Sequence, residues 1–434
     1  MKSLIKLKIY RIVFLIIIFD LLLSKKIGNN FKSFTDDEIV ATITSDNEEE
    51  LLKAVSQLNQ NGGTIYIDTP VVSLSRYIKI IIDGPLPGGI IGIKQANGEY
   101  PRIDFTKGNA VIAPPSGLVI YGSNKFIEYV IIENVPDAGV SIMGENNILD
   151  HIISRYNFGS GFRIYGNFNT LNYCYAYRNC DIRSFDSIAD GFYISGEVNN
   201  VFRYCFAWEN ANSGFNYVRP FNSSELSYLH SGSWNNGNAN VFTGYYDYNN
   251  GNPLDKKLWT IKEIMATDPN FVSNYYNKKY NIDNAKIKGV FVKEWITKTQ
   301  PNLAGNGFTF GNLNSSQSIE VKRNALYCVS FDHKDGGFMD NYNHRYNAFM
   351  TNCVAFNNGI NYRLPYTFSR WTDNWSWGSK NKDQLNNGIT TKIPSNINTA
   401  EKSIYSVRDV IIKAVNANMF PDNINFDNAI IKLN

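Results

Sequence analysis

The sequence predicts an all-β protein wound as a parallel β-solenoid, and three observations carry that expectation. Short apolar segments recur along the middle of the chain, with anchors at Val130, Ile152, Cys174, Cys205, Ser231, Cys328 and Cys353. Their spacings of 22, 22, 31, 26, 97 and 25 residues are those of coils that must stack to bury their inner faces. Five residues past each anchor stand Val135, Asn157, Asn179, Asn210, Asn236, His333 and Asn358, a register that predicts an asparagine ladder satisfying buried turn backbone coil by coil. Finally, 14% aromatic against 19% charged residues in a chain of 434 excludes wholesale disorder, and the scarcity of Ala and Leu argues against a helical bundle.

The elements follow in order. Residues 1–26 hold a basic stretch and then the apolar run Ile12 to Leu23, too short for an ordinary spanning helix and suited to an export signal. A secreted protein is expected, with a membrane anchor as the alternative if the segment is retained. Residues 27–44 read as a linker. Ser45-Asp-Asn-Glu48 is a capping-box pattern opening an amphipathic helix over roughly 48–60, with Leu51, Leu52, Val55 and Leu58 on one face. Asn61-Gly-Gly63 stops it before a strand at 64–68, and the pair reads as the N-terminal cap that an open solenoid end requires. The solenoid is assigned to 45–364. The gap between Ser231 and Cys328 reads as an inserted helical lobe over 255–299, with helix-like runs such as LWTIKEIMA. From 365 the chain reads as a Trp-rich loop and a helix near 401–416, with Ile404, Val407, Ile411, Ile412 and Val415 on one face, packed on the solenoid.

The formal net charge of +3 misleads, because six bases and one acid lie in the first 26 residues. The remainder is slightly acidic, so bulk charge excludes a nucleic-acid binder. The five cysteines include no CxxC pair, which argues against zinc. Cys174, Cys205, Cys328 and Cys353 fall at the anchor register and are expected to pack as free thiols, while Cys180 has no assigned place. His151 and His230 lie beside anchors and read as packed residues. No G-x-S-x-G, H-E-x-x-H or P-loop is present. Three sequons, at Asn222, Asn314 and Asn374, matter only in a glycosylating host.

Candidate chemistry lies in a family of turns ending in Gly-Phe: Gly159-Ser-Gly-Phe162, Asp190-Gly-Phe192, Asn212-Ser-Gly-Phe-Asn216 and Asp335-Gly-Gly-Phe338. Their glycines are expected to supply positive φ and their phenylalanines to fill the core. Asp190 stands out as a carboxylate on a turn beside amide and hydroxyl oxygens of the next coil, donors that suit Ca²⁺. With Gly305-Asn-Gly-Phe-Thr-Phe-Gly311 and Val354-Ala-Phe-Asn-Asn358, these stretches make residues 48–380 resemble the family 9 polysaccharide lyases, pectate lyases on a right-handed parallel β-helix.

The resemblance implies β-elimination on a pectin-like polyuronate, with a Lys base and a calcium site of four Asp. Carried over residue by residue, the metal positions are Asp190, Asn212, Ser213 and Asn216, and the base position is Thr309. One carboxylate remains of four, so calcium is expected to bind weakly, and a Thr hydroxyl is no base at neutral pH without an activating partner. Arg219 takes the surviving basic position, and Arg183, Arg219 and Lys334 are candidates for holding substrate carboxylates. Three readings follow: a lyase with a rebuilt site, a non-catalytic binder of acidic polysaccharide, or a structural spacer. A monomer is expected, with Asp190, Arg219 and Thr309 in one groove.

Overall fold

The computed structural model describes residues 39–75, 78–107, 117–135, 137–157, 159–179, 189–195, 199–218, 224–237, 242–245, 258–260, 305–311, 321–340, 347–364, 368–385, 389–421 and 424–433. These residues form a parallel β-helix. Each coil supplies up to three strands, and stacking builds three parallel sheets, the third of them ten-stranded. One coil shows the plan. Strand Ile148–Arg155 contributes to the first two sheets and strand Phe162–Ile164 to the third. Every pairing between successive coils is parallel, for example Ile153↔Tyr175↔Phe206↔Gly232↔Val329↔Val354↔Trp375 along the second sheet.

The corner between the first two sheets is turned by one left-handed residue per coil, including Tyr129 (φ 57°), His151 (φ 54°), Tyr173 (φ 48°), Tyr204 (φ 51°) and His230 (φ 52°). Their rings stack outside the corner at 4.6 to 4.9 Å, with His151 between Tyr129 and Tyr173, and His230 beside Tyr204. Both histidines are therefore packed ring to ring, as their register suggests. Inside, the third sheet presents the stack Phe162, Phe192, Phe215, Phe308, Phe338 and Tyr362, with centroids 4.6 to 5.2 Å apart. The coil spacing, about 4.8 Å, is close to that of offset-stacked rings, so identical side chains at one register pack well.

The asparagine ladder forms. Asn157 Nδ2 donates to Asn179 Oδ1 (2.9 Å), Asn179 Nδ2 to Asn210 Oδ1 (2.9 Å), and Asn210 Nδ2 to Asn236 Oδ1 (3.0 Å). His333 interrupts it: Asn236 N–H donates to His333 Nδ1 (3.2 Å), and His333 N–H donates to Asn358 Oδ1 (2.9 Å). A second ladder, unread from sequence, runs through Asn147, Asn169 and Asn200. Cys174, Cys205, Cys328 and Cys353 are buried free thiols whose Sγ atoms donate to backbone carbonyls. Cys180 lies outside the described residues.

Several expectations are corrected. The first helix, α1 (Glu48–Asn61), is capped by Asn47, which accepts from Glu49 N and Glu50 N, and not by Ser45. Its buried face is Leu51, Ala54, Val55 and Leu58, and Leu52 turns outward of it. The glycines of the Gly-Phe turns do not carry positive φ. They are small because the ladder passes over them: a Cβ on Gly191 would sit 2.8 Å from Ala207 Cβ and 3.0 Å from Asn210 Nδ2, and one on Gly214 2.0 Å from Ser233 Oγ. The long gap between anchors skips no coil, since Gly232 pairs directly with Val329. The insertion leaves after strand Gly232–Trp234 and returns before Phe308–Thr309. Within it, Leu258–Thr260, where the LWTIKEIMA run begins, is a strand pairing antiparallel with Phe242–Tyr245. The rest of 255–299 lies outside the described residues. The Trp-rich stretch is a further coil and not a loop, with strands Phe368–Thr372, Trp375–Trp377 and Gln384–Leu385 in the three sheets. Asn374, the third sequon, is buried and accepts from Cys353 N (2.9 Å), which removes it as a modification site.

The C-terminal segment covers the second sheet. Helices α2 (Ile397–Asn416) and α3 (Asp427–Ile431) bury Ala400, Ile404, Ile411, Val415, Ala429 and Ile430 against its outer stack, which includes Tyr177, Trp208, Trp234, Phe331 and Phe356. Val407 and Ile412 pack partly buried against the same cluster. One face is therefore closed.

Candidate functional site

Along the third sheet, strands such as Phe162–Ile164, Phe192–Ile194 and Phe215–Tyr217 bury their flanking residues and leave the middle one half-buried on the outer side, while at Phe308–Thr309 the corresponding residue is buried as well. The triplets Phe162-Arg-Ile164, Phe192-Tyr-Ile194, Phe215-Asn-Tyr217 and Phe308-Thr-Phe310 thus bring Arg163, Tyr193, Asn216 and Thr309 into one outward row, paired coil to coil. The turn ahead of these strands places Ser160, Asp190, Ser213 and Asn306 in a neighbouring row.

The two rows meet at Asp190, which is fully buried. Its Oδ1 accepts from Ser213 N (3.0 Å), and its Oδ2 accepts from Asn216 Nδ2 (3.0 Å). Asn216 Oδ1 in turn accepts the Thr309 hydroxyl (2.9 Å), and Thr309 Oγ1 accepts from Tyr217 N (3.1 Å). Asp190, Asn216 and Thr309 are therefore one hydrogen-bonded chain across adjacent coils. Burial pushes the Asp190 carboxyl up to about 7, against the opposing pull of the donors Asn216 and Ser213, the Arg163 charge, and Asn212. Thr309 is also fully buried, with Asn216 Oδ1 (2.9 Å) and Phe215 O (3.4 Å) as the acceptors within reach of its hydroxyl.

Of the other sequence-derived candidates, Ser213 contributes its backbone N–H and Asn212 its side chain to Asp190. Lys334 is half-buried on the same turn edge, about three coil steps of ~4.8 Å from Asp190; its N–H donates to Asn236 O. Arg183 and Arg219 lie outside the described residues. Sequence reasoning missed Arg163, whose guanidinium pairs through two nitrogens with Asp137 (2.8 and 2.9 Å), and Tyr193 beside it. The signal was present as the polar middle residue of the Phe-x-Ile triplets.

The donor set does not fit calcium, which takes 6–8 oxygens and gains affinity from carboxylate charge. Both Asp190 oxygens face N–H donors, Asn216 presents its NH₂ to the carboxylate, and its oxygen is occupied by Thr309. Two unpartnered amide oxygens, Asn212 Oδ1 and Asn306 Oδ1, remain nearby, and they bring no charge. Among the described residues no three His, Cys, Asp or Glu side chains gather as a metal site.

The family model described as Pel9A-like, right-handed β-helix region matches residues 34–254, just over half of the chain. Two solved structures share the fold. The pectate lyase Pel9A aligns with a TM-score of 0.54 at 16% identity over 83% of this chain and 81% of its own. A rhamnogalacturonan lyase aligns with a TM-score of 0.52 at 14% identity over 91% and 98%. At these identities the likeness speaks to fold alone. No curated protein matches the chain.

Proposed function

Since the chain belongs to the Pel9A-like right-handed β-helix family, we propose that it binds an acidic polysaccharide of the pectin class along the outer face of the third sheet and does not cleave it. The carrying observation is the closed chain from Asp190 through Asn216 to Thr309. β-Elimination needs a base within reach of the sugar C5 proton and a positive charge to stabilise the developing carbanion. At the position where the resemblance implies a base stands a buried hydroxyl already donating its proton, and beside it a carboxyl that burial holds protonated to near neutrality. Both side chains are fully buried, with their oxygens engaged by neighbouring coils, so neither is presented to a sugar C5 proton on the outer face. The groove itself stays polar, with Arg163, Tyr193 and Asn216 half-buried along it.

The basic stretch and apolar run ahead of the coils support export to where such polymers lie. The test follows the ultraviolet absorbance of the unsaturated uronate on polygalacturonate, pectin and alginate, with and without Ca²⁺, alongside retardation of the full chain in gels containing each polymer. Retardation without absorbance is expected. Rising absorbance would overturn the non-catalytic reading, and absence of retardation on every polymer would overturn the binding one.

A further inference from the structure

Three exposed apolar side chains occupy one register on successive coils: Tyr121, Met143 and Tyr165, exposed by 52%, 37% and 40%. Each follows a third-sheet strand and hydrogen-bonds to the coil before it, Tyr121 N to Ile82 O, Met143 N to Ile120 O and Tyr165 N to Ile142 O. They form a second outward row on the face that carries Arg163, Tyr193 and Asn216. Tyr165 reaches into the first row, its ring 6.0 Å from that of Tyr193. Nowhere else among the described residues do exposed large apolar side chains hold one register over three coils. A row of this kind has no packing role, because every inward position of these coils is already filled: Leu118, Ile120, Val140, Ile142, Phe162 and Ile164 are all fully buried.

The charge beside this row is cancelled. Arg163 is held by two nitrogens to Asp137, so the guanidinium nearest this row already has its carboxylate partner. Aromatic rings stack on the C–H faces of pyranose sugars, whereas a bare carboxylate gains nothing here and is desolvated without a partner.

We propose that Tyr121, Met143 and Tyr165, with Tyr193, form a stacking platform for uncharged sugar units, neutral or methyl-esterified, of a polysaccharide lying along the solenoid axis. The inference rests on the groove reading above and deepens it by naming the sugars that this end selects. It departs from a site built for fully ionised polyuronate.

The experiment compares the affinity of the full chain for highly methyl-esterified pectin and for polygalacturonate, by calorimetry, in the native protein and in a Tyr121→Ala/Tyr165→Ala variant. Both side chains are exposed, and circular dichroism checks that the coils remain. The native protein should prefer esterified pectin, and the double variant should lose about ten-fold or more on it, the scale of removing two central contacts. Met143→Lys, also on the surface, should shift the preference toward polygalacturonate. A native protein that binds polygalacturonate better, with all variants unchanged, would overturn the platform and leave the groove reading intact. A native protein that binds neither polymer would overturn both.

Discussion

His333 interrupts the asparagine ladder, and replacing it with Asn gives a prediction whose size follows from burial. The ring is 2% exposed, with Nδ1 accepting Asn236 N–H at 3.2 Å, so the neutral ring carries its proton on Nε2. Burial holds its pKa down at about 3, against ~6.5 in an unfolded chain. A depressed pKa means that the unfolded chain binds more protons between those values, so stability is whole above pH ~6.5 and is lost as pH falls toward 3. At pH 5 the loss is about 2 kcal/mol, set by the distance from 6.5 at 1.36 kcal/mol per unit. In His333→Asn the Oδ1 replaces Nδ1 as acceptor for Asn236, and Nδ2 can donate to Asn358 Oδ1 as Asn179 does to Asn210. The variant has no titrating ring. Relative to wild type it should therefore gain about 2 kcal/mol between pH 7.5 and pH 5, whatever its offset at pH 7.5. Urea unfolding of both proteins at the two pH values measures this double difference. Other titrating groups cancel in it, because the variant leaves them in place. Equal pH shifts for wild type and variant would refute the buried neutral histidine.

Asp190 should act with the opposite sign. Its carboxyl, raised to about 7 by burial, stabilises the fold fully below pH ~4 and loses that contribution as pH rises through 7, about 4 kcal/mol in all. Asp190→Asn should flatten this slope in unfolding curves taken from pH 4 to 8, and an unchanged slope would place the titration elsewhere. Arg155 is buried against the second sheet, where its Nε pairs with Glu133 Oε2 (2.6 Å) and its Nη atoms reach Tyr177 Oη (2.7 Å), Asn418 Oδ1 (2.7 Å) and Val415 O (3.4 Å). Arg155→Ala leaves the buried Glu133 carboxylate with Arg102 Nη1 (2.8 Å) as its remaining guanidinium partner and should cost about 2–3 kcal/mol, with faster proteolysis after α2. A change below 1 kcal/mol would mean that the tail is held by its apolar face alone.

The coils were legible because packing forces their repetition. An anchor register of Val, Ile, Cys and Ser, with Asn five residues on, exposes the period even where no two coils share a sequence. The second ladder at Asn147, Asn169 and Asn200 has spacings of 22 and 31, the same as the anchors, and could have been read with them. The Trp-rich stretch was misread because its tryptophans suggest a surface loop, although Asn374 and Trp375–Trp377 repeat the pattern of Cys353 and Val354–Phe356. The groove was harder to read. Turns between second- and third-sheet strands vary in length, so Arg163, Tyr193, Asn216 and Thr309 share no fixed offset from the anchors. Only the pairing of strands places them in one row.

That difference sets how far the outer face of such a fold can vary while its architecture is kept. Inward side chains are fixed by stacking: Phe308 and Phe310 are buried in the core beneath Thr309, and Phe192 lies two residues past Asp190 in the same stack. The middle positions repeat no residue type from coil to coil: Arg163, Tyr193 and Asn216 are half-buried, while Thr309 is buried and bonded to Asn216 and Tyr217 N. Asp190, in the turn row, is held more firmly. Its carboxylate caps Ser213 N in the next coil and holds Asn216 through a second bond, and an apolar residue there would leave both donors buried and unpaired. The carboxylate that most suggests a calcium site is thus the one whose place in the turn is accounted for by structure alone. Function on this scaffold is better sought in the half-buried row of Arg163 and Tyr193 and in the exposed row beside it, which face outward from the core.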